Sequence, residues 1–290
     1  MSPVKTSDRV RHPLSVSENL AVGSIAGALE TCVQMPVLTY KFCLQEGRAL
    51  PISPAGWYRG VAVQAGTVAP ITALQFMING FLQKLVLRGE TRNLSDAEVM
   101  STSAGAGAIS AIVYSPVDLT TIQQQKLSLN PHQTIKHVME QYGVGGLLRG
   151  FTACAWRESI YTAGYLGLSP VVTNHLNEID KFEERPLAAN IIGACLAGTA
   201  AALVTHPIDT VKTMVQADIE SREYTSTRVA AQKLYKNEGF QAFFRGVVPR
   251  TVRTCGAFFI CTTVRELAID TKTDLIASGG WSLNESTQKV

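Results

Sequence analysis

The most informative stretch of this chain reads Gly198-Thr-Ala-Ala-Ala-Leu-Val-Thr-His-Pro207-Ile-Asp209-Thr-Val-Lys212-Thr-Met-Val-Gln216. Its first glycine lies nine residues before the proline, and its glutamine lies nine residues after it. The same spacing occurs twice more, at Gly27, Pro36 and Gln45 and at Gly107, Pro116 and Gln125. Three copies of one long pattern indicate an internal repeat, which constrains the architecture more than any single motif does.

Long uncharged segments predict membrane-spanning helices. The three prolines stand 80 and 91 residues apart, which indicates three units of about 95 residues each. Four segments carry no Asp, Glu, Lys or Arg: 60–83, 99–117, 159–177 and 186–208. A helix needs about 20 mostly apolar residues to cross a bilayer. Together with 17–45 and 247–268, which carry isolated charges, these segments predict six membrane helices, two in each unit.

A soluble helical bundle is the alternative, and the modest mean hydropathy of +0.11 favours it slightly. Composition favours the membrane. Charged residues make up 17% of the chain, against about 25% in ordinary soluble domains. Gly, Ala, Ser and Thr crowd the segments, as in 103–112, and such small residues let membrane helices approach closely. The predicted fold is therefore an all-α membrane protein with six transmembrane helices.

The predicted organisation is a disordered lead, three repeats and a polar tail, at 1–16, 17–92, 93–182, 183–274 and 275–290. Each repeat begins with a helix that is bent at Pro36, Pro116 or Pro207, because proline removes a backbone donor. Short amphipathic helices follow at 131–142 and 225–237. The first repeat has no glycine six residues before Arg59-Gly60, so we expect its connecting helix to be shortened. The second helices are predicted at about 62–88, 152–177 and 247–270.

Charge and motif spacing argue against several other functions. A net charge of +3 is too small to indicate nucleic-acid binding. The six cysteines lack C-x-x-C spacing, and the histidines lack the spacing of metal ligands, so we expect no metal site. The sequence contains no Gly-Lys-Ser/Thr phosphate loop and no Ser/His/Asp set. We therefore expect no catalytic residues, no enzyme activity and no cofactor. No secretory signal is visible at the start of the sequence.

The order of proline-containing helix, short amphipathic helix, Arg-Gly turn and second helix resembles the mitochondrial carrier family over about residues 17–270. The family signature is Pro-x-[Asp/Glu]-x-x-[Lys/Arg] with a later Gln, and it is complete at Pro207, Asp209, Lys212 and Gln216. Gly246-x-x-Pro249-x-x-x-Arg253 matches the family's even-helix motif. The resemblance implies three pseudo-symmetric two-helix repeats around a central cavity, with the amphipathic helices on the matrix side. It also implies solute transport across the mitochondrial inner membrane by alternating access.

The resemblance implies a ring of ion pairs that closes the matrix side. Asp118 would pair with Lys212, and Asp209 would pair with Lys41. A third pair would need an acid at Leu38 and a base at Thr121, and both charges are missing together. Such paired loss is physically favoured, because removing one member of a buried pair costs about 3–5 kcal/mol whereas replacing both can be neutral. The family braces this ring with glutamines, which here are Gln45, Gln125 and Gln216.

A charged ring on the cytoplasmic side is expected to be absent. The family places an acid, and three residues later a base, at the far end of each even helix. The acid positions hold Gly80, Pro170 and Arg265, and the base positions hold Gln83, Thr173 and Ala268. We therefore expect the resting protein to open towards the cytoplasmic side, since only the matrix side has an ionic lock.

Substrate contact points in the family lie seven and eight residues beyond each Arg-Gly glycine. They fall here on Thr67-Val68, Arg157-Glu158 and Arg253-Thr254. An Arg followed by an acid at the second point is associated in the family with amino-acid carriers, and Arg binds carboxylates in bidentate fashion. The alternative is that Arg157 and Glu158 form structural bridges to other helices, since charge inside a membrane is either paired or functional. Thr67 departs from the basic residue that is common at the first point.

Helical periodicity predicts a polar lumen face that carries no charge apart from the gate. Its residues are Thr31, Gln34, Tyr114 and Thr205. Glu30 is expected to lie off this face, as a proton-coupling site or as a contact between helices. His206 is expected to be a packed residue rather than a proton relay.

The expected partners are a small-molecule solute and membrane lipid, without nucleic acid. Arg59-Gly60, Arg149-Gly150 and Arg245-Gly246 precede helix N-termini, which favour phosphate, and in the family such sites hold structural cardiolipin. The solute would be a small carboxylate-bearing metabolite, with an amino acid as one candidate, and the protein would be monomeric. The alternative is a transport-inactive protein of the same fold that serves as an adaptor or structural subunit of a membrane assembly.

Overall fold

The computed structural model describes residues 16–88, 92, 94–164, 172, 186–220 and 222–277, and this part of the chain contains helices and no strands. The helices are α1 (Val16–Glu46), α2 (Pro54–Trp57), α3 (Val61–Leu87), α4 (Asp96–Leu127), α5 (Pro131–Leu147), α6 (Phe151–Thr162), α7 (Pro186–Ala217), α8 (Thr227–Glu238) and α9 (Val247–Ala277). A 3₁₀ turn, Phe240–Phe244, connects α8 to α9.

Most predicted helix boundaries agree with the structure to within two residues, and three predictions need comment. Helix α5, predicted at 131–142, is assigned to Leu147 across an interruption at Gly143. Helix α9 continues to Ala277, so its predicted end near residue 270 is wrong. The helix predicted at 152–177 is described as far as residue 164, and its remainder lies mostly outside the described residues. The lead up to residue 15 and the chain from 278 onward also lie outside them.

Local sequence explains where several helices begin and break. Ser95 caps α4 through a capping box with Glu98, which satisfies free N–H groups of the first turn. Helices α1, α4 and α7 continue through their internal prolines. Helix α5 is interrupted at Gly143, where φ is 64° and ψ is −169°, and Gly239 ends α8 with nearly the same angles, 79° and −177°. Only glycine adopts this conformation readily, so the repeat in sequence is also a repeat in backbone shape.

The long helices form a closed ring. Helix α1 packs against α3, α3 against α4, α4 against α6, α6 against α7, α7 against α9, and α9 returns to α1. Helix α7 also reaches across to α1 and α4. The ring therefore brings the three proline-containing helices together at one end.

The distribution of polarity is the reverse of that in a soluble protein. Large apolar side chains such as Ile25, Val33, Phe76 and Met77 are exposed on the outside of the ring, while many Gln, Thr, Lys, Arg and Asp side chains are buried inside. An apolar outside suits lipid, and polar or charged groups within a membrane protein face the bundle interior or a cavity.

Length and hydropathy alone identify two spans among the described residues, Ala21–Glu46 and Pro54–Leu87. By this criterion alone the described helices give fewer spans than the predicted six. The polar inner faces explain the difference, because Ser, Thr and Gln lower the mean hydropathy of helices such as α4.

Candidate functional site

A cavity of about 260 Å³ lies inside the ring. All six predicted contact positions line it: Thr67, Val68, Arg157, Glu158, Arg253 and Thr254. Helices α3, α6 and α9 each start directly after an Arg-Gly turn whose glycine has positive φ. Equal offsets from three equivalent turns therefore place these residues at one level of the ring and on its inner face.

The charged groups of this cavity are mostly paired with one another. Arg157 forms an ion pair with Glu158, and its Nη2 also lies 3.3 Å from Asp118 Oδ2. Arg253 Nη2 lies 3.5 Å from Glu30 Oε1. Glu30 lines the cavity, so the prediction that it lies off the lumen face is wrong. Its pairing with Arg253 joins α1 to α9.

Arg157 combines the two interpretations that the sequence left open. It lines the cavity, and it also bridges to other helices, since its Nη2 approaches Asp118 on α4 and its Nε lies 3.6 Å from Asp209 Oδ1 on α7. Its guanidinium carbon lies 5.0 Å from the centre of the Tyr114 ring, a cation–π contact. Arg157 is therefore shared between the cavity and the ion pairs beneath it.

The structure forms both ion pairs expected at the matrix end. Lys41 Nζ lies 2.5 Å from Asp209 Oδ2, and Lys212 Nζ pairs with Asp118 Oδ2. All four side chains are buried. The first pair joins the first repeat to the third, and the second pair joins the third to the second.

Apolar packing and hydrogen bonds occupy the place of the missing third pair. Leu38 packs in a buried cluster with Met35, Phe42, Ile122 and Ala217. Thr121 Oγ1 accepts a hydrogen bond from Gln64, which also donates to Asp118. An apolar replacement leaves no charge stranded, in line with the paired loss seen in the sequence.

The three glutamines each bond to a neighbouring repeat, although in different ways. Gln45 donates to Asp209 Oδ2 at 3.1 Å. Gln125 donates to Thr39 and to the carbonyl of Arg59, and Gln216 donates to Ser115 and to the carbonyl of Arg149. Gln45 therefore contacts an ion pair directly, whereas the other two anchor Arg-Gly turns.

His206 completes this pattern in the third repeat. It is fully buried, its Nε2 lies 2.9 Å from the carbonyl oxygen of Arg245, and its ring stacks on Phe244. It therefore binds the third Arg-Gly turn as Gln125 and Gln216 bind the first two. This is the packed residue that the sequence predicts.

Several cavity residues were missed from the sequence, and Arg250 is the most important of them. It lies four residues beyond Gly246, and its Nη2 donates to Thr205 Oγ1 at 2.6 Å. Since Arg250 and Arg253 stand three residues apart on one helix, they share a face, and this spacing was the signal that could have revealed it. Gln75 and Tyr161 line the cavity as well.

A second cavity, of about 440 Å³, lies at the Arg149-Gly150 turn. Residues at the starts of α6 and α8 line it, including Phe151 and Thr227. The Arg149 side chain bonds to the carbonyls of Val215 and Tyr224, and Arg245 pairs with Glu238. These two arginine side chains therefore serve the protein's own contacts, and the helix N-termini supply the N–H groups that favour anions.

Four positions of the expected cytoplasmic ring are described, and Arg265 is the one charged residue among them. It stands at an acid position and is exposed. Pro170 and Thr173 lie outside the described residues.

Comparison with known proteins identifies the relatives of this chain. The family model for mitochondrial carrier protein matches residues 93–179 and 183–274. A calcium-binding mitochondrial carrier protein of Dictyostelium discoideum is 28% identical over 86% of this chain and 35% of its own length. Mitochondrial 2-oxodicarboxylate carrier 2 of Saccharomyces cerevisiae is 27% identical, over 68% of this chain and 66% of its own. Mitochondrial glutamate carrier 1 of Mus musculus is 24% identical over 88% of this chain and 94% of its own length. The chain thus spans about a third of the first relative and about two thirds of the second.

Proposed function

Since the chain belongs to the mitochondrial carrier family, whose members cross the mitochondrial inner membrane several times, we propose that it transports a small carboxylate-bearing metabolite by alternating access. An amino acid is one candidate. The proposal is supported by relatives named for 2-oxodicarboxylates and for glutamate. It is also supported by the central cavity with its three pairs of contact residues.

The observation that carries the proposal is an excess of positive charge at the centre of the ring. Among the described residues, five cations lie there against four acids: Lys41, Arg157, Lys212, Arg250 and Arg253 against Glu30, Asp118, Glu158 and Asp209. A buried charge without a counter-ion is costly inside a membrane protein. A solute with net negative charge would supply the missing counter-ion, and arginine is the side chain best suited to hold its carboxylate.

Transport in reconstituted liposomes tests the proposal. We expect labelled carboxylates or amino acids from a panel that also includes keto acids and nucleotides to be taken up. Arg157→Ala should reduce this uptake strongly. If no solute moves, and if Arg157→Ala leaves the cellular phenotype of the protein unchanged, the adaptor function is the one supported.

The two ion pairs would serve as the matrix gate, with Gln45 bonded to one of their acids. Because the positions of the family's cytoplasmic ring lack its acids and bases in this sequence, the resting protein should keep its cavity open to the cytoplasmic side. Cysteines introduced into the cavity should then react with a membrane-impermeant reagent from the cytoplasmic side. Ready labelling from the matrix side would contradict this resting state.

The cavity at Arg149-Gly150 is proposed to bind cardiolipin, as the family does at such turns. Two helix N-termini frame it, and its backbone donors suit phosphate. Cardiolipin added to the detergent-purified protein should raise its melting temperature, and Gly150→Ala should reduce that increase. An equal increase with a neutral lipid would count against a phosphate site.

A further inference from the structure

Arg250 is a buried arginine whose hydrogen-bonding capacity is only partly used. Its Nη2 donates to Thr205, while its Nη1 lies 3.5 Å from Asp209 Oδ2 and has no hydrogen-bond partner among the described residues. The residue is 7% exposed, and it lines the central cavity. An N–H group that is buried and unsatisfied is unusual in a folded protein.

Arg157 faces the same carboxylate from another helix. Its Nε lies 3.6 Å from Asp209 Oδ1, and within the described part of the chain neither atom has a hydrogen-bond partner. Two guanidinium groups, from α6 and α9, thus lie just beyond hydrogen-bond distance of one acid. The other oxygen of that acid already pairs with Lys41. Both arginines therefore line the cavity, and among the described residues each keeps one buried donor without a hydrogen-bond partner beside Asp209.

We infer that Arg250, together with Arg157, binds a carboxylate of the transported solute in competition with Asp209. The inference rests on the proposed function and specifies how the solute is held. A carboxylate has two oxygens, so it can accept one bond from each arginine, and bonds between charged groups are the stronger ones. A solute carboxylate bound between the two arginines would weaken their electrostatic attraction to Asp209. Solute binding would thereby be coupled to the ion pairs beneath the cavity.

Arg253 gives this site a second cationic position. It stands one helical turn from Arg250, about 4.5 Å along the axis of α9, and it pairs with Glu30 at 3.5 Å. A solute with two carboxylates on a short carbon chain would reach both arginines. The solute class is therefore a short-chain dicarboxylate.

The test compares dicarboxylates with monocarboxylates of the same chain length in liposomes that contain the full chain. In Arg250→Gln, the KM for the dicarboxylate should rise about tenfold or more, the effect of losing one charged hydrogen bond. The KM for the monocarboxylate should change less. Arg250→Lys should recover part of the loss. Arg228→Gln, which removes an exposed arginine on α8, should leave both constants unchanged.

The outcomes separate this inference from the proposed function. If the wild type moves no carboxylate, the proposed function fails. If the wild type moves the dicarboxylate, and Arg250→Gln lowers only Vmax with KM unchanged for both solutes, Arg250 is a structural partner of Asp209 and the inference is overturned. If Arg250→Gln does not fold, Arg250→Lys is tested in its place. The KM for the dicarboxylate should then rise more than the KM for the monocarboxylate, because lysine keeps the charge but lacks the planar group.

Discussion

Lys41 Nζ lies 2.5 Å from Asp209 Oδ2, and this buried ion pair joins the first repeat to the third. Asp209 also lies 3.5 Å from Arg250 and 3.6 Å from Arg157, so three cations from three helices face one carboxylate. Its neighbour on α7, Lys212, pairs with Asp118. Helix α7 thus supplies one member of each of the two pairs, Lys41–Asp209 and Lys212–Asp118.

Asp209→Asn should be among the most damaging single changes in the ion pairs. It leaves Lys41 without its partner and removes the acid that Arg157 and Arg250 approach. Breaking a buried pair costs about 3–5 kcal/mol, so the melting temperature in detergent should fall sharply and transport should be lost. The control Glu140→Gln removes an exposed acid on α5 and should do neither. A melting temperature close to that of the wild type would show that Asp209 is not the common counter-ion.

Restoring the missing ion pair should strengthen the closed matrix side. Leu38→Asp alone puts an unpaired charge into an apolar cluster and should destabilise the protein. Adding Thr121→Lys should recover part of that loss, with a coupling energy in the range of about 0.5–3 kcal/mol for contacting residues. A double-mutant cycle of thermal stability measures the coupling. Transport by the double variant should be slower than in the wild type, because opening must break a third bridge. If the stability changes of the two single variants simply add in the double variant, the two side chains are not in contact.

Gly107→Ala should separate α4 from α6. A Cβ atom there would lie 2.3 Å from the carbonyl oxygen of Glu158 and 2.7 Å from Thr162 Oγ1. Overpacking of this kind costs about 1–3 kcal/mol, and the displaced backbone carries Arg157 and Glu158. We expect lower stability and weaker transport. Gly23→Ala is the matched control, since nothing lies within 4 Å of its added Cβ, and it should be neutral or slightly stabilising.

Gly143→Ala should strain the link between α5 and the second Arg-Gly turn. Its φ of 64° with ψ of −169° is a conformation that alanine adopts at a cost of about 1–3 kcal/mol. The melting temperature should therefore fall, although no atom lies within 4 Å of the added Cβ. Gly145→Ala also has open space but no positive φ and should have little effect. Equal melting temperatures for the two variants would show that the positive φ of Gly143 carries no measurable cost for alanine.

The sequence predicted the helices and the ion pairs because both depend on regular spacing. A repeated Gly, Pro and Gln pattern marks equivalent positions in three helices, and the resemblance to the family then implies the partners of Asp118 and Asp209. The resemblance implies contact positions at Thr67, Arg157 and Arg253, seven residues after equivalent turns, and these residues do line one cavity. The predicted end of α9 near residue 270 is too early, because the polar residues at 271–274 continue the helix to Ala277.

Only the tertiary structure decided which partner each polar side chain takes. By itself, the sequence determined the repeat, the helices and the height of each residue along its helix axis, because these follow from regular spacing and the period of a helix. It could not place Glu30 beside Arg253, or Arg250 and Arg157 around Asp209, because these contacts depend on the rotation of each helix and on the reach of long side chains between different helices. Charge inside a membrane must find a partner, and the folded ring determines which one.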